Sequence, residues 1–395
     1  MEIKSIGEVS QVNLSQIRGT HKGPISYVDT SSVVYGKFNS PIIYSSVQDA
    51  PSRARRLAKS GDTVISTVRP KMCHYGYISS VNEKDIFSTG FAVVHPQRQV
   101  IEPYYLYLVL TSDEVTEKLQ QIAETSTTTY PSIKPSDITS IDIIIPSRKY
   151  QQDVADIIGA IDEKIVLNQQ INKNLLKLID NIYIREYFAN SQVVLADHVA
   201  LSDLVQTKTK TFNPKKTSET LVNHFSMPAF DEAHYPIIDK VTSIKSNKNI
   251  VEPFSVLVSK MNPQVKRVWL PNISDKILNV ASTEFLTFNA DSAEMQAFIY
   301  AIVNNKSYKQ FLMSNTTGST NSRQRVLPRV AYSFEIAFNR IKAERLGKLL
   351  VPFLEKIKLT KSEIQRLKKL RALLLPKLLS GSINLSSMEE AMKNA

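Results

Sequence analysis

Two stretches of this chain, residues 151–188 and 343–379, carry apolar side chains at alternating three- and four-residue steps over many turns. That spacing commits each to a long helix with one narrow apolar seam, the pattern of a coiled coil. Val154, Ile158, Ile161, Ile165, Leu175, Ile179 and Ile182 mark the first seam, and Leu346, Leu350, Phe353, Ile357, Ile364, Leu367, Leu374 and Leu378 the second. Asn168 and Asn172 also fall on the first seam. A buried amide there costs stability but fixes register, because a slipped alignment leaves it unpaired; the alternative is a bend that solvates both. Pro352 removes a backbone donor and is expected to kink the second helix or mark a restart. Pro376 followed by Gly381 should close its last turns, and the polar residues from Ser382 onward are expected to fray.

Each helix follows a block that reads as a small mixed α/β domain, so the expected organisation is a domain at 1–150, a helix at 151–190, a second domain at 191–342, and a helix with a polar tail at 343–395. In the first domain, β-type runs at 63–68, 90–94 and 141–145 alternate with helical spacing at 103–110 and 114–122. In the second, the strand runs are 254–259, 284–288 and 332–338, with a helix over 292–313. Shifting the chain on itself by about 193 residues aligns several short matches in order. Pro70 falls on Pro263, Phe87-Ser88-Thr89-Gly90-Phe91 on the block ending Ala281-Ser282-Thr283-Glu284-Phe285, Ser126-Thr127 on Ser319-Thr320, and Pro135 on Pro328. The chain reads as an internal pseudo-repeat.

Composition narrows the class. With 395 residues, 42% apolar and 22% charged, there is material for two or three packed cores. No window is apolar enough to span a membrane and the N-terminus has no secretory h-region, so the expected location is cytoplasmic. A single cysteine, Cys73, excludes an internal disulfide and a cysteine-based structural zinc site. The net charge of +12 is uneven: residues 1–150 carry 16 basic against 14 acidic side chains, residues 191–342 carry 18 against 12, and residues 343–395 carry 11 against 5. Such a chain suits a polyanion, since phosphates neutralised by Lys or Arg release condensed counterions.

Catalytic constellations are missing from the sequence. There is no phosphate-binding glycine loop. The six histidines have no metal-ligand spacing. Asn213-Pro214 and Asn262-Pro263 do not continue into the tetrapeptide of a DNA amino-methyltransferase. The expectation is a binding protein without catalytic residues, metal or cofactor. Candidates for nucleic-acid contact are cations and hydroxyls near aromatic rings. Arg53, Arg55 and Arg56 suit phosphates or, equally, a solvated helix face. Lys71, His74 and Tyr75 follow a predicted strand and could enter a groove. Thr127 and Thr128 belong to a hydroxyl-rich loop, whose counterpart contains Ser319, Thr320, Asn321, Arg323 and Arg325. The two guanidiniums there could bond guanine or phosphate bidentately. Lys208, Lys210, Lys215 and Lys216 form a phosphate-facing loop candidate. Lys266 and Arg267 stand beside Trp269, a ring expected in the core.

The order of these features resembles one known family, the DNA-specificity subunit of type I restriction-modification systems. The resemblance rests on the two domains and two helices in equivalent places, Ser88-Thr89-Gly90-Phe91, the passage from Thr125 to Pro146, Gly318-Ser319-Thr320 with Arg323 to Val326, and Leu373-Leu374-Leu375-Pro376-Lys377-Leu378-Leu379-Ser380-Gly381. It implies that each α/β domain is a target-recognition domain reading one half of a bipartite double-stranded DNA site, and that the helices pair antiparallel to space them. A helix of this length spans roughly 57 Å at ~1.5 Å per residue, which agrees. The resemblance also implies two methyltransferase subunits carrying S-adenosylmethionine, and restriction subunits using ATP and Mg. The residues alone leave open a free-standing duplex-binding regulator.

Overall fold

In the computed structural model, which describes residues 2–18, 21–125, 130–189, 196–274, 276–317 and 324–383, Val154, Ile158, Ile161, Ile165 and Ile179 of the first seam and Leu346, Leu350, Ile357, Ile364 and Leu378 of the second are buried, while Leu175, Ile182, Phe353, Leu367 and Leu374 are half-buried. Arg148–Tyr183 is one helix, continued by a π-type turn over Ile184–Phe188, and Arg340–Leu379 is the other. The chain folds as two units, residues 1–163 with 369–395 and residues 164–368, so the boundary passes through both long helices.

Within the second unit Asn172 pairs with Thr360 and Lys164 with Glu363. Within the first, Asp162 pairs with Arg371, and the Tyr150 hydroxyl donates to the Leu378 carbonyl at 2.9 Å. Rising numbers on one helix meet falling numbers on the other, so the two run antiparallel. Asn168 and Asn172 are both buried, which favours the seam reading over a solvated bend. Asn172 accepts from the Thr360 hydroxyl, while the Asn168 amide nitrogen is buried with no hydrogen-bond partner among the described residues.

Pro352 does not end the second helix. It lies on the exposed face, as does Lys348 one turn earlier, so water can satisfy the carbonyl that loses its donor. At the C-terminus Gly381 takes a φ of 70°, and Ser382 N–H reaches back to the Lys377 carbonyl at 3.0 Å. This is the left-handed closure that glycine permits. Of the tail expected to fray from Ser382 onward, the residues from 384 lie outside the described residues.

The duplication is visible strand by strand. In the first unit Ile42–Tyr44, Ile25–Val28, Asp85–Ser88 and Ala54–Arg56 form a sheet in that order, with the central pair parallel. In the second, Ile237–Lys240, Leu221–Phe225, Leu278–Ala281 and Lys248–Ile250 repeat the order and the parallel central pair, and Thr211–Phe212 adds an edge. A second sheet in each unit pairs Thr63–Ser66 with Phe91–Pro96, and Ser255–Ser259 with Phe285–Asn289, both antiparallel. The first sheet's strands bury Val64, Phe91 and Val93, and the second's Leu257, Trp269 and Phe285, the last three meeting in one aromatic cluster.

Two boundaries differ from the periodicity. The helix expected over 292–313 is two helices, Ala293–Asn304 and Lys306–Ser314. Asn305 breaks it because its extended backbone and side chain cap the second piece, and its amide donates to Asp180 at 2.7 Å. The strand run at 332–338 shrinks to Glu335–Ala337, since Tyr332 closes the short helix Pro328–Tyr332.

Candidate nucleic-acid interface

Each unit ends its Ser66 or Ser259 strand in the same hydrogen-bonded clamp. Ser66 Oγ donates to the Val68 carbonyl at 3.0 Å and accepts from Val68 N–H at 3.2 Å. Ser259 does the same with Met261, at 3.0 and 3.1 Å. Thr67 N–H then donates to the Gly90 carbonyl (2.9 Å), Arg69 N–H to that of Pro131 (2.9 Å) and Ile133 N–H to that of Thr67 (2.8 Å). The second unit makes the matching set: Lys260 to Glu284 (3.0 Å), Asn262 to Gln324 (2.9 Å) and Val326 to Lys260 (2.9 Å). The clamp satisfies backbone groups where the strand ends, and it fastens the C-terminal foot of each polar loop, 131–133 or 324–326, to the sheet.

The residue at the centre of each clamp sits in the left-handed region, Arg69 at φ 51° and Asn262 at φ 46°, each immediately before a proline. Few non-glycine residues do this, and a following proline restricts the choice further. Arg69 is exposed, with its guanidinium 4.9 Å from the centre of the Tyr130 ring, a cation–π arrangement. Sequence reading singled out neither Arg69 nor Asn262 nor Glu284 as a contact. The alignment of Pro70 with Pro263 was the available signal, one residue away.

The predicted contact residues fall into three groups. Arg53 and Lys71 stand by the first clamp. Arg53 is exposed and its carbonyl accepts from Thr89 N–H, next to Gly90, and Lys71 is exposed with its ammonium 3.0 Å from Glu117. Arg325 stands in the second clamp, half its side chain exposed, with Nη2 3.2 Å from Glu284 Oε1.

A second group is buried or bonded within the protein. Arg55 and Arg56 lie on a strand and not on a solvated helix face; Arg55 Nε donates to the Ser52 carbonyl, while Arg56 Nε is buried with no hydrogen-bond partner among the described residues, and burial lowers its pKa. His74 Nδ1 lies 2.8 Å from the Val33 carbonyl oxygen. Tyr75 packs edge-on to Tyr35 and Tyr107, where burial pushes its hydroxyl well above the usual range. Arg267 makes a two-pronged bond to Asp231 at 2.6 and 2.9 Å, and the Lys266 ammonium, its pKa lowered by burial, donates to the Asn304 carbonyl. Trp269 is core, as expected. Lys208, Lys210, Lys215 and Lys216 form the third group, exposed around the edge strand Thr211–Phe212, with Lys210 3.5 Å from Glu252. Thr127, Thr128, Ser319, Thr320, Asn321 and Arg323 lie outside the described residues. Among the described residues no cluster of His, Cys, Asp and Glu has the makings of a metal site, and no helix is long and apolar enough to cross a membrane.

The family model for the type I restriction modification DNA specificity domain matches residues 1–177. The chain is 33% identical over 200 residues to the HindI specificity subunit of Haemophilus influenzae, an alignment covering 50% of this chain and 43% of that one. It is 24% identical over 353 residues to the MjaIX specificity subunit of Methanocaldococcus jannaschii, covering 82% and 78%. Residues 1–177 thus match the type I specificity-domain model, and over the aligned stretches the chain is similar to type I restriction-modification specificity subunits. The match to the Haemophilus relative thus spans less than half of that protein. As a fold, the chain is similar to the crystal structure of the type I system S subunit from M. genitalium, with a TM-score of 0.59, 14% identity and 95% of each chain covered. That coverage extends the likeness of fold through the second unit, most of which lies beyond the residues the family model matches.

Proposed function

We propose that this chain is the DNA-reading subunit of a type I restriction-modification complex, with one α/β unit reading each half of a bipartite duplex target. The observation that carries the reading is the twice-built clamp: one backbone scaffold, made of residues about 193 apart, offers a polar loop and exposed cations in both units. A repeated reader with different side chains on each copy suits a target with two different halves. In this reading the chain performs no chemistry and needs no cofactor. Two methyltransferase subunits hold S-adenosylmethionine, restriction subunits use ATP and Mg, and the paired helices serve as the scaffold on which they assemble.

The test is to express the chain with its partner methyltransferase and sequence the methylome, then to replace residues 1–145 with the equivalent block of a relative. One half of the methylated site should change while the other stays. Changes in both halves would sink independent reading. Tight, site-specific duplex binding by the purified chain with no methyltransferase present would favour a free-standing regulator instead.

A further inference from the structure

The two clamps share a backbone and differ in what they present. Positions 69, 90 and 132 of the first unit occupy the places of 262, 284 and 325 in the second, so Arg, Gly and Ser stand where Asn, Glu and Arg stand. At the middle position of the first unit a Cβ on Gly90 would lie 2.9 Å from Thr30 Cγ2, so a glutamate there would force a shift. Of the three positions Arg69 is the charged one. Its fork of N–H donors, held over the Tyr130 ring, matches two acceptors on one base edge, and guanine O6 and N7 are such a pair.

The second platform offers acceptors instead. Asn262 Oδ1 and Glu284 Oε2 are buried with no hydrogen-bond donor among the described residues, while the other Glu284 oxygen is taken by Arg325 at 3.2 Å. Buried acceptors are seldom left unpaired, and their persistence marks a place that a donor from outside can complete. The left-handed backbone at both Arg69 and Asn262 points the same way, since strain repeated at equivalent positions is a built feature.

We infer that these positions determine base choice: Arg69 reads a guanine in one half-site, and Asn262 with Glu284 accepts from the exocyclic amino group of an adenine or cytosine in the other. The inference rests on the DNA reading proposed above and adds the residues and the base chemistry. The experiment uses the chain in complex with its methyltransferase, with methylome sequencing as the readout.

Arg69→Ala and Arg69→Lys should both relax one guanine position in one half-site, with discrimination there falling on the order of 5- to 150-fold. Lysine keeps the charge but not the fork. Asn262→Gly, which keeps the left-handed backbone, and Glu284→Gln, which keeps the shape, should each relax one amino-bearing base in the opposite half, and the relaxed position names adenine or cytosine. Site preference unchanged in all four variants overturns the inference. So does a uniform loss across all sequences that Arg69→Lys restores, because that is a phosphate contact. A parental complex that methylates no bipartite site would instead sink the reading beneath it, and this inference with it.

Discussion

The two units join their long helices to their sheets by different means. In the second, the join is apolar: Leu346, Leu350, Leu354 and Ile357 of the second helix and Ile179, Tyr183 and Tyr187 of the first share one buried cluster with Phe298 and its neighbours. Gly347 lets that helix come so close that an added Cβ would lie 2.1 Å from the Glu294 carbonyl oxygen. In the first unit a polar contact is added beside the buried Val154, Ile158 and Ile161. Asp162 accepts from Arg371 Nε at 2.7 and 3.0 Å and from the Tyr104 hydroxyl at 2.8 Å, beside Tyr77 and Tyr107. One fold can thus support the packing of its helices with a hydrogen-bonded ion pair in one unit and a larger apolar cluster in the other. Packing failures scale with the volume lost, whereas an ion pair fails when one member is left alone.

The largest expected effect follows from that contrast. Leu350→Ala should destabilise the second unit by about 4 kcal/mol, from lost burial and the cavity left behind. Trp269, the chain's one tryptophan, lies in that unit's core, so its fluorescence in a urea titration follows that unit. A transition unmoved by Leu350→Ala would show that the join does not carry the unit's stability.

Gly347→Ala should cost about 3 kcal/mol by the same probe, because the obstruction is backbone and cannot rotate away. An equal loss on replacing an exposed neighbour, Lys348→Ala, would refute the close-approach argument.

Arg371→Ala should cost the first unit about 2 kcal/mol, read by hydrogen exchange of its strands, because Asp162 is left without its ion-pair partner in a largely buried place. With both side chains still about a quarter exposed, water limits the loss. The double replacement Asp162→Leu with Arg371→Leu should recover most of it, and a double variant worse than the single would show that the pair is worth more than the apolar contacts that replace it.

The smallest effect is pH. Burial holds the His224 and His234 pKa values below the ordinary 6.5, against the opposing pull of Asp239 and Asp231. Lys248 beside His224 and Lys361 beside His234 push the same way as burial. A histidine harder to protonate when folded binds its proton more readily unfolded, so its contribution is complete above the unfolded pKa and declines as pH falls from there toward the folded value. Asp62 of the first unit is raised by burial beside His95, which has the opposite sign: its contribution is complete below the unfolded value of 3.8 and is lost as pH rises through the raised one. Between neutral pH and pH 5 the Trp269 transition should therefore move to lower urea, and His224→Gln should flatten the trend. A trend unchanged in that variant would clear His224 of responsibility.

Local pattern was enough for much of this fold. The seam spacing named the long helices to within a few residues of Arg148–Tyr183 and Arg340–Leu379, because a 3.6-residue period is written directly in the order of apolar side chains. Pro103–Leu110 was legible to the residue, since a proline opens it and its apolar run is unbroken. The strand Ala54–Arg56 was not, as Arg53-Ala54-Arg55-Arg56 carries no clear period, and its pairing with Asp85–Ser88 decides the matter. Likewise the run at 292–313 looked continuous because Asn305 interrupts no apolar period; the break depends on Asp180, which is distant in sequence.

The sequence by itself determined that this protein is a duplicated domain-and-helix unit with a basic second half, because helical period, repeat offset and charge are properties of residue order. Tertiary structure alone decided which polar groups share a platform. Arg69 meets Tyr130, and Asn262 stands in one clamp with Glu284 and Arg325, through backbone hydrogen bonds between segments far apart in the chain. Such bonds leave no mark in the side-chain pattern, so the chemistry each clamp presents appears only once the strands are paired.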